Sequence, residues 1–145
     1  MTTSRRSRKV LIPTDGSENS LRALRYVAKS AAVDGRPVAI VILNVQLKVP
    51  AGTLVTRTMV RQHYAAQSEA ALAPARKLLA RHKLSADVRV FVGDPAATIV
   101  GSARRLRCTE IVMGTRGLGT LRGLLLGSVT TRVIQLSRVP VTVVP

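Results

Sequence analysis

Five of the chain's ten glycines, Gly114, Gly117, Gly119, Gly123 and Gly127, fall within one segment, GTRGLGTLRGLLLGSVT. Such a segment suits phosphate chemistry. Without a Cβ, backbone N–H groups can approach phosphate oxygens closely. The segment follows a short apolar run, Glu110 to Met113, and leads into a helical pattern from about Ser128 to Leu136. A helix N-terminus at that place adds partial positive charge and unpaired donors. Ser128 adds a hydroxyl, and Arg116 and Arg122 can pair with phosphates. A surface loop or a tight crossover would also use glycines; the position after a strand and before a helix is what sets the anion-site reading beside these. No GK followed by Ser or Thr completes a Walker A loop. GLGTLRG stands where a dinucleotide fingerprint would read GxGxxG, and it does not follow a first strand.

The other side chains that could do chemistry are scattered. Asp15 lies in the turn Asp15-Gly16-Ser17, where an aspartate commonly bonds its own backbone. His63 and His82 lie 19 residues apart on one helical stretch, about five turns if it is unbroken, and neither pairs with a nucleophile. Both read as solvated or partly buried histidines. Seven Asp and Glu are too few and too dispersed for a two-carboxylate mechanism. Any phosphoryl transfer would therefore have to come from phosphate positioning with a metal ion. Cys108 is the only cysteine, which excludes an intramolecular disulfide and speaks against a structural zinc site. It reads as a partly buried thiol.

The elements that must position these residues alternate. Lys9 to Thr14 (KVLIPT) reads as a strand that is apolar throughout, as buried parallel strands are. Ser17 suits the cap of the next helix, with Leu21, Leu24, Val27, Ala28 and Ala31 on one face and Gly35 and Pro37 at its end. Val38 to Val45 is a second strand, and Gln46 to about Arg57 a loop. The longest helical stretch runs from about Thr58 to His82, with a kink or break expected at Pro74. Asp87 to Val92 is a third strand. Pro95 opens a helix to about Leu106, Glu110 to Met113 is the fourth strand, and Val139 to Val144 the fifth. This order predicts an α/β fold: an open five-stranded parallel sheet with helices on both faces, Rossmann-like in kind. Residues 1–8 read as a basic flexible tail and 9–145 as one domain.

Composition narrows the class. The chain has 145 residues, 46% of them hydrophobic but only 2% aromatic, so its core is aliphatic. No apolar run approaches the roughly 20 residues of a membrane span, and no secretory h-region appears. With the single cysteine, this suits a cytoplasmic protein without membrane insertion. The formal net charge is +16, from 23 Lys and Arg against 7 Asp and Glu. That favours polyanionic partners (nucleotides, nucleic acid or anionic lipid) without choosing among them.

The segment from Gly114 to Ser128 fits the pattern G-x2-G-x9-G-S/T, and so resembles the ATP-binding signature of the universal stress protein family. KVLIPTDGSENSLRAL looks like the family's opening strand and helix. ILNV, VGDPAATIV, TEIVMGTRG and VPVTVVP are similar to its later junctions, in order and over nearly the whole chain. The resemblance implies the following roles. Asp15 accepts hydrogen bonds from ribose hydroxyls, and Pro13 shapes that edge. Val45 meets adenine, while Met113 and Gly114 line the nucleoside. Gly117, Gly127, Ser128 and Val129 surround the phosphates. The ligand implied is ATP, or AMP or ADP, with magnesium as an optional companion. The resemblance also implies a homodimer through the C-terminal strand 139–144, on which Val139, Val141 and Val143 alternate with polar or small positions. One departure stands out: members of the family are often acidic, and this chain is strongly basic.

Two further readings compete with a nucleotide-binding regulator of the stress response. One is an electrostatic module for nucleic acid or another polyanion on the same fold, carried by the N-terminal Arg5, Arg6, Arg8 and Lys9 and by basic helix faces. No helix-turn-helix pattern supports sequence-specific readout, and few aromatics are available to stack single strands. The other is an ATP pyrophosphatase, but its SGGxDS loop is replaced here by PTDGSENS.

Overall fold

A computed structural model describes residues 7–50, 52, 54–116 and 125–145. The elements run β1 (Arg8–Pro13), α1 (Glu18–Asp34), β2 (Val38–Gln46), α2 (Arg57–Arg81), β3 (Asp87–Val92), α3 (Pro95–Arg105), β4 (Glu110–Gly114), α4 (Ser128–Leu136) and β5 (Val141–Val144). The strands form one sheet in the order β3-β2-β1-β4-β5, and every pairing is parallel.

Two apolar layers explain the buried apolar runs of β1, β2 and β4. Val10, Leu11 and Ile12 are all fully buried. Successive side chains on a strand point to opposite faces, and both faces are covered. On one face Val10, Ile12, Ile40, Ile42 and Val112 pack against Leu24 and Val27 of α1 and Leu72, Leu78 and Leu79 of α2. On the other, Leu11, Val41, Leu43, Ile111 and Met113 pack against Ile99 and Ala103 of α3 and Val133 of α4. The α/β sheet with helices on both faces is thus present as expected.

Local signals set most helix ends. Ser17 caps α1 by accepting from the Ser20 N–H at 3.2 Å, and Asp94 caps α3 by accepting from the Ala97 N–H at 2.9 Å. Gly35 closes α1 at φ 58°, its N–H donating to the Ala31 carbonyl. Left-handed backbone at this position favours glycine.

Three expectations about boundaries need correction. β1 opens at Arg8, where the tail was expected to continue. The Arg8 guanidinium donates to Glu110 Oε1 at 2.6 Å and to Ser30 Oγ at 2.8 Å, which fixes it to β4 and α1. α2 runs through Pro74 unbroken. Pro74 lacks the N–H that the Ala70 carbonyl would accept, but Leu72, Ala75, Leu78 and Leu79 around it are buried, and that packing holds the helix together. β5 begins at Val141 and not at Val139. The Val139 N–H donates to Ser137 Oγ and its carbonyl accepts from the same hydroxyl, so a local turn consumes the groups a ladder would need.

Cys108 is buried beside the entry to β4, and burial pushes its thiol above the usual range, with Lys9 opposing weakly. Among the described residues, no helix is long and apolar enough to cross a membrane.

Candidate functional site

In the order β3-β2-β1-β4-β5 the chain runs outward from β1 in one direction and from β4 in the other. Between those strands the crossovers leave on opposite faces, and a crevice opens at their C-terminal ends. The register shows what borders it. Pro13 pairs with Leu43 of β2, and Leu11 pairs with Ile111 of β4. Continued by two residues, the first register sets Asp15 level with Val45. The β1–β4 ladder ends at Leu11 and Ile111, short of the last residue of either strand. The ends of β1, β2 and β4 thus border the crevice.

Asp15 is half-buried, and its Oδ1 accepts the Ser17 N–H at 2.9 Å. The bond orients the carboxylate above β1 and shapes the entry to α1. The turn rests on a polar network that sequence reasoning missed. Thr14 N–H donates to the Leu43 carbonyl, and the Thr14 carbonyl accepts from Asn44 Nδ2, both at 2.8 Å. Gln46 Nε2 donates in turn to Asn44 Oδ1. Thr14 and Ser20 hydroxyls share a bond of 3.0 Å. Asn44 is 2% exposed. A buried amide is costly unless bonded, so a lone Asn in the apolar run VILNV was the available signal of a clamp at the strand end.

The far side of the crevice is closed by α4. The Gly127 N–H donates to the Thr115 carbonyl at 2.7 Å, and the buried Thr130 hydroxyl donates to the Gly114 carbonyl at 3.0 Å. These bonds draw both ends of the glycine segment together. Gly127 is the N-cap and offers no side-chain cap. Among the described residues no side chain caps the first turn of α4, and Ser128 there is exposed. The donor set fits an anion.

The expected site residues fall as follows. Pro13, Asp15 and Val45 border the crevice on one side, and Gly127, Ser128 and Val129 on the other. Val129 also packs partly against the second core layer. Met113 and Gly114 end β4, but their side-chain faces are committed to packing. Met113 lies in the core, and a Cβ on Gly114 would fall 2.5 Å from the Asn19 carbonyl oxygen of α1. Both can offer the crevice only backbone. Gly117, with Gly119, Arg122 and Gly123, lies outside the described residues. His63 and His82 are exposed and belong to no site here. Among the described residues, no three His, Cys, Asp or Glu side chains cluster as a metal site.

The strand order defines a doubly wound α/β protein with a switch point between β1 and β4. The model of the universal stress protein family matches residues 6–145, and the chain belongs to that family. It is 32% identical over 138 residues to universal stress protein MJ0531 of Methanocaldococcus jannaschii, covering 94% of this chain and 81% of that one. Among solved structures, hypothetical protein MJ0577 superposes with a TM-score of 0.78 at 27% identity, over 94% of each chain. A universal stress protein in complex with cAMP superposes with a TM-score of 0.70 at 26% identity, over 95% of this chain and 97% of that one.

Proposed function

We propose that the chain is an adenine-nucleotide-binding regulator of the stress response, working in the cytoplasm, whose conformation or partners change with occupancy. The observation that carries this reading is the bond from Gly127 N–H to the Thr115 carbonyl. It holds an α4 N-terminus without a side-chain cap against the residue that follows β4. A carboxylate on one side and the first-turn N–H groups of a helix on the other match ribose hydroxyls and phosphate respectively. The cAMP complex of a relative supports the ligand class. In this reading Asp15 takes the ribose and Val45 meets adenine through its backbone. Met113 and Gly114 line the nucleoside with backbone atoms. Gly117, Gly127, Ser128 and Val129 surround the phosphates. ATP, AMP and ADP all fit it, with magnesium held chiefly by the phosphates of a longer ligand.

Calorimetric titration with AMP, ATP and inorganic phosphate at 50 and 200 mM salt tests it. AMP and ATP are expected to bind one per chain with an affinity that changes little across that range, and phosphate to bind far more weakly. Equal binding of phosphate and AMP, with a steep salt dependence, would reduce the site to charge capture.

We further propose a homodimer through β5. It is the last strand at one edge of the sheet, and among the described residues its outer side pairs with nothing. An edge of half-buried Val141, Val143 and Val144 is one that proteins normally cover. Light scattering after size exclusion is expected to give twice the chain mass. A clean monomer at micromolar concentration would contradict it.

A further inference from the structure

The sheet's other edge, opposite the candidate site, carries charge that neither the fold nor the nucleotide reading uses. In a doubly wound fold, every helix-to-strand connection returns to that edge. Each of the four bears one exposed cation: Arg36 between α1 and β2, Lys83 between α2 and β3, Arg107 between α3 and β4, and Arg138 between α4 and β5. None of the four is in an ion pair among the described residues. Of the nearby acids, Glu110 pairs with Arg8 and Asp87 with Arg89, while Asp34 at the end of α1 is in no ion pair among the described residues. Strand order converts these connections into a row: Lys83, Arg36, then the start of β1, then Arg107 and Arg138. At about 4.8 Å between strands the row is roughly 19 Å long.

Two members of the row occupy backbone that resists them. Lys83 and Arg107 have φ of 53° and 54°, the only positive values for non-glycine residues among those described. Left-handed backbone disfavours residues with a Cβ, and α1 meets the same need with Gly35. Cations do stabilise helix C-termini. Those ends are already supplied, however, by Arg81 in the last turn of α2 and by Arg104 and Arg105 in that of α3. The left-handed turns close their helices, with the Leu84 N–H donating to the Leu79 carbonyl and the Cys108 N–H to the Ala103 carbonyl. Glycine would serve that geometry at lower cost, so helix closure alone does not account for the choice of Lys83 and Arg107. An unfavourable conformation kept at a surface points to function.

We propose that this edge docks the phosphate backbone of duplex nucleic acid, without reading sequence. Along the strand order a reach of about 19 Å spans five to six base steps at roughly 3.4 Å each, and point cations suit phosphates. Single strands are a poorer match, because the chain's three aromatics, Tyr26, Tyr64 and Phe91, lie on none of these connections. An anionic membrane is a poorer match as well. The apolar residues exposed near this edge, Val33 on α1 and Leu136 on α4, sit on helices covering opposite faces and form no single patch.

The test measures binding of a 25-base-pair duplex of arbitrary sequence by fluorescence anisotropy from 50 to 200 mM salt, with saturating AMP present. The double variant Lys83→Gly/Arg107→Gly is set beside Arg57→Gln/Arg61→Gln, which removes the same charge at the start of α2, on the candidate-site edge. The wild type is expected to give a steep linear dependence of log affinity on log salt. The glycine variant should lower that slope by about 2, with a melting temperature unchanged or higher, while the α2 variant leaves the slope as it was. Equal slopes in wild type and glycine variant, or an equal fall in both variants, would overturn the proposal. So would failure to bind duplex at 50 mM salt. In that case, retained binding to phosphatidylserine vesicles, lost in the glycine variant, would assign the edge to lipid instead.

Discussion

Replacing Gly114 with alanine is expected to destabilise the protein by about 3 kcal/mol, at the upper end of what overpacking a core costs. The added Cβ would lie 2.5 Å from the Asn19 carbonyl oxygen, 2.7 Å from its carbonyl carbon and 2.9 Å from its Cβ. Two of these are backbone atoms in the first turn of α1, so no side-chain rotation relieves the clash. Either α1 or β4 must move. Moving β4 also disturbs the Thr130 bond to the Gly114 carbonyl, and with it the seat of α4. Gly101→Ala provides the opposite sign on the same fold. Nothing lies within 4 Å of the Cβ it would add, and the position is inside α3. Alanine there is expected to stabilise by roughly 0.5–1 kcal/mol, the helical preference of Ala over Gly. Urea unfolding followed by far-ultraviolet circular dichroism reads both. The midpoints should move in opposite directions at constant slope. A loss below 1 kcal/mol for Gly114→Ala would mean that α1 and β4 are not held as closely as described.

Gly114 also illustrates what the sequence could and could not reveal. Its place in a glycine-rich segment marks it as a ligand position, yet its want of a side chain is explained first by α1. Spacing along the chain cannot show an approach from a helix some ninety residues earlier. The same holds at Gly16, where φ is +85° and a Cβ would sit 3.1 Å from the Ala71 Cα of α2. The inner strands β1, β2 and β4 were legible because both their faces are covered, which leaves apolar runs with little ambiguity. Helix starts were legible where a capping side chain or Pro95 announced them. Boundaries failed where a single hydroxyl or guanidinium decided the matter, as at Ser137 for β5 and Arg8 for β1. At the site, Asp15 and the start of α4 were legible. Of the Thr14–Asn44–Gln46 network only the lone Asn44 gave a signal; its bond to Thr14, 30 residues away, is made only through the register of β1 and β2.

Asp15→Asn should lower AMP affinity by about tenfold to a hundredfold, since hydrogen bonds to a charged group contribute about 1.5–3 kcal/mol and each 1.4 kcal/mol is a factor of ten. Asparagine is the informative replacement. Its Oδ1 can still accept the Ser17 N–H, so the turn that opens α1 is kept and the protein should remain folded. Asp15→Ala removes the turn bond as well, and should add a stability loss of about 1 kcal/mol to a similar loss of affinity. The sign of the asparagine effect separates the two accounts of phosphate binding. Neutralising Asp15 makes a chain of net charge +16 more positive still. If binding were capture of phosphate by that charge, the variant would bind AMP and ATP as well as the wild type or better. If the carboxylate holds the ribose, both nucleotides weaken together despite the gain in positive charge, and inorganic phosphate does not. Unchanged affinity in the asparagine variant would remove Asp15 from the site and leave it the turn residue that its bond to Ser17 makes it.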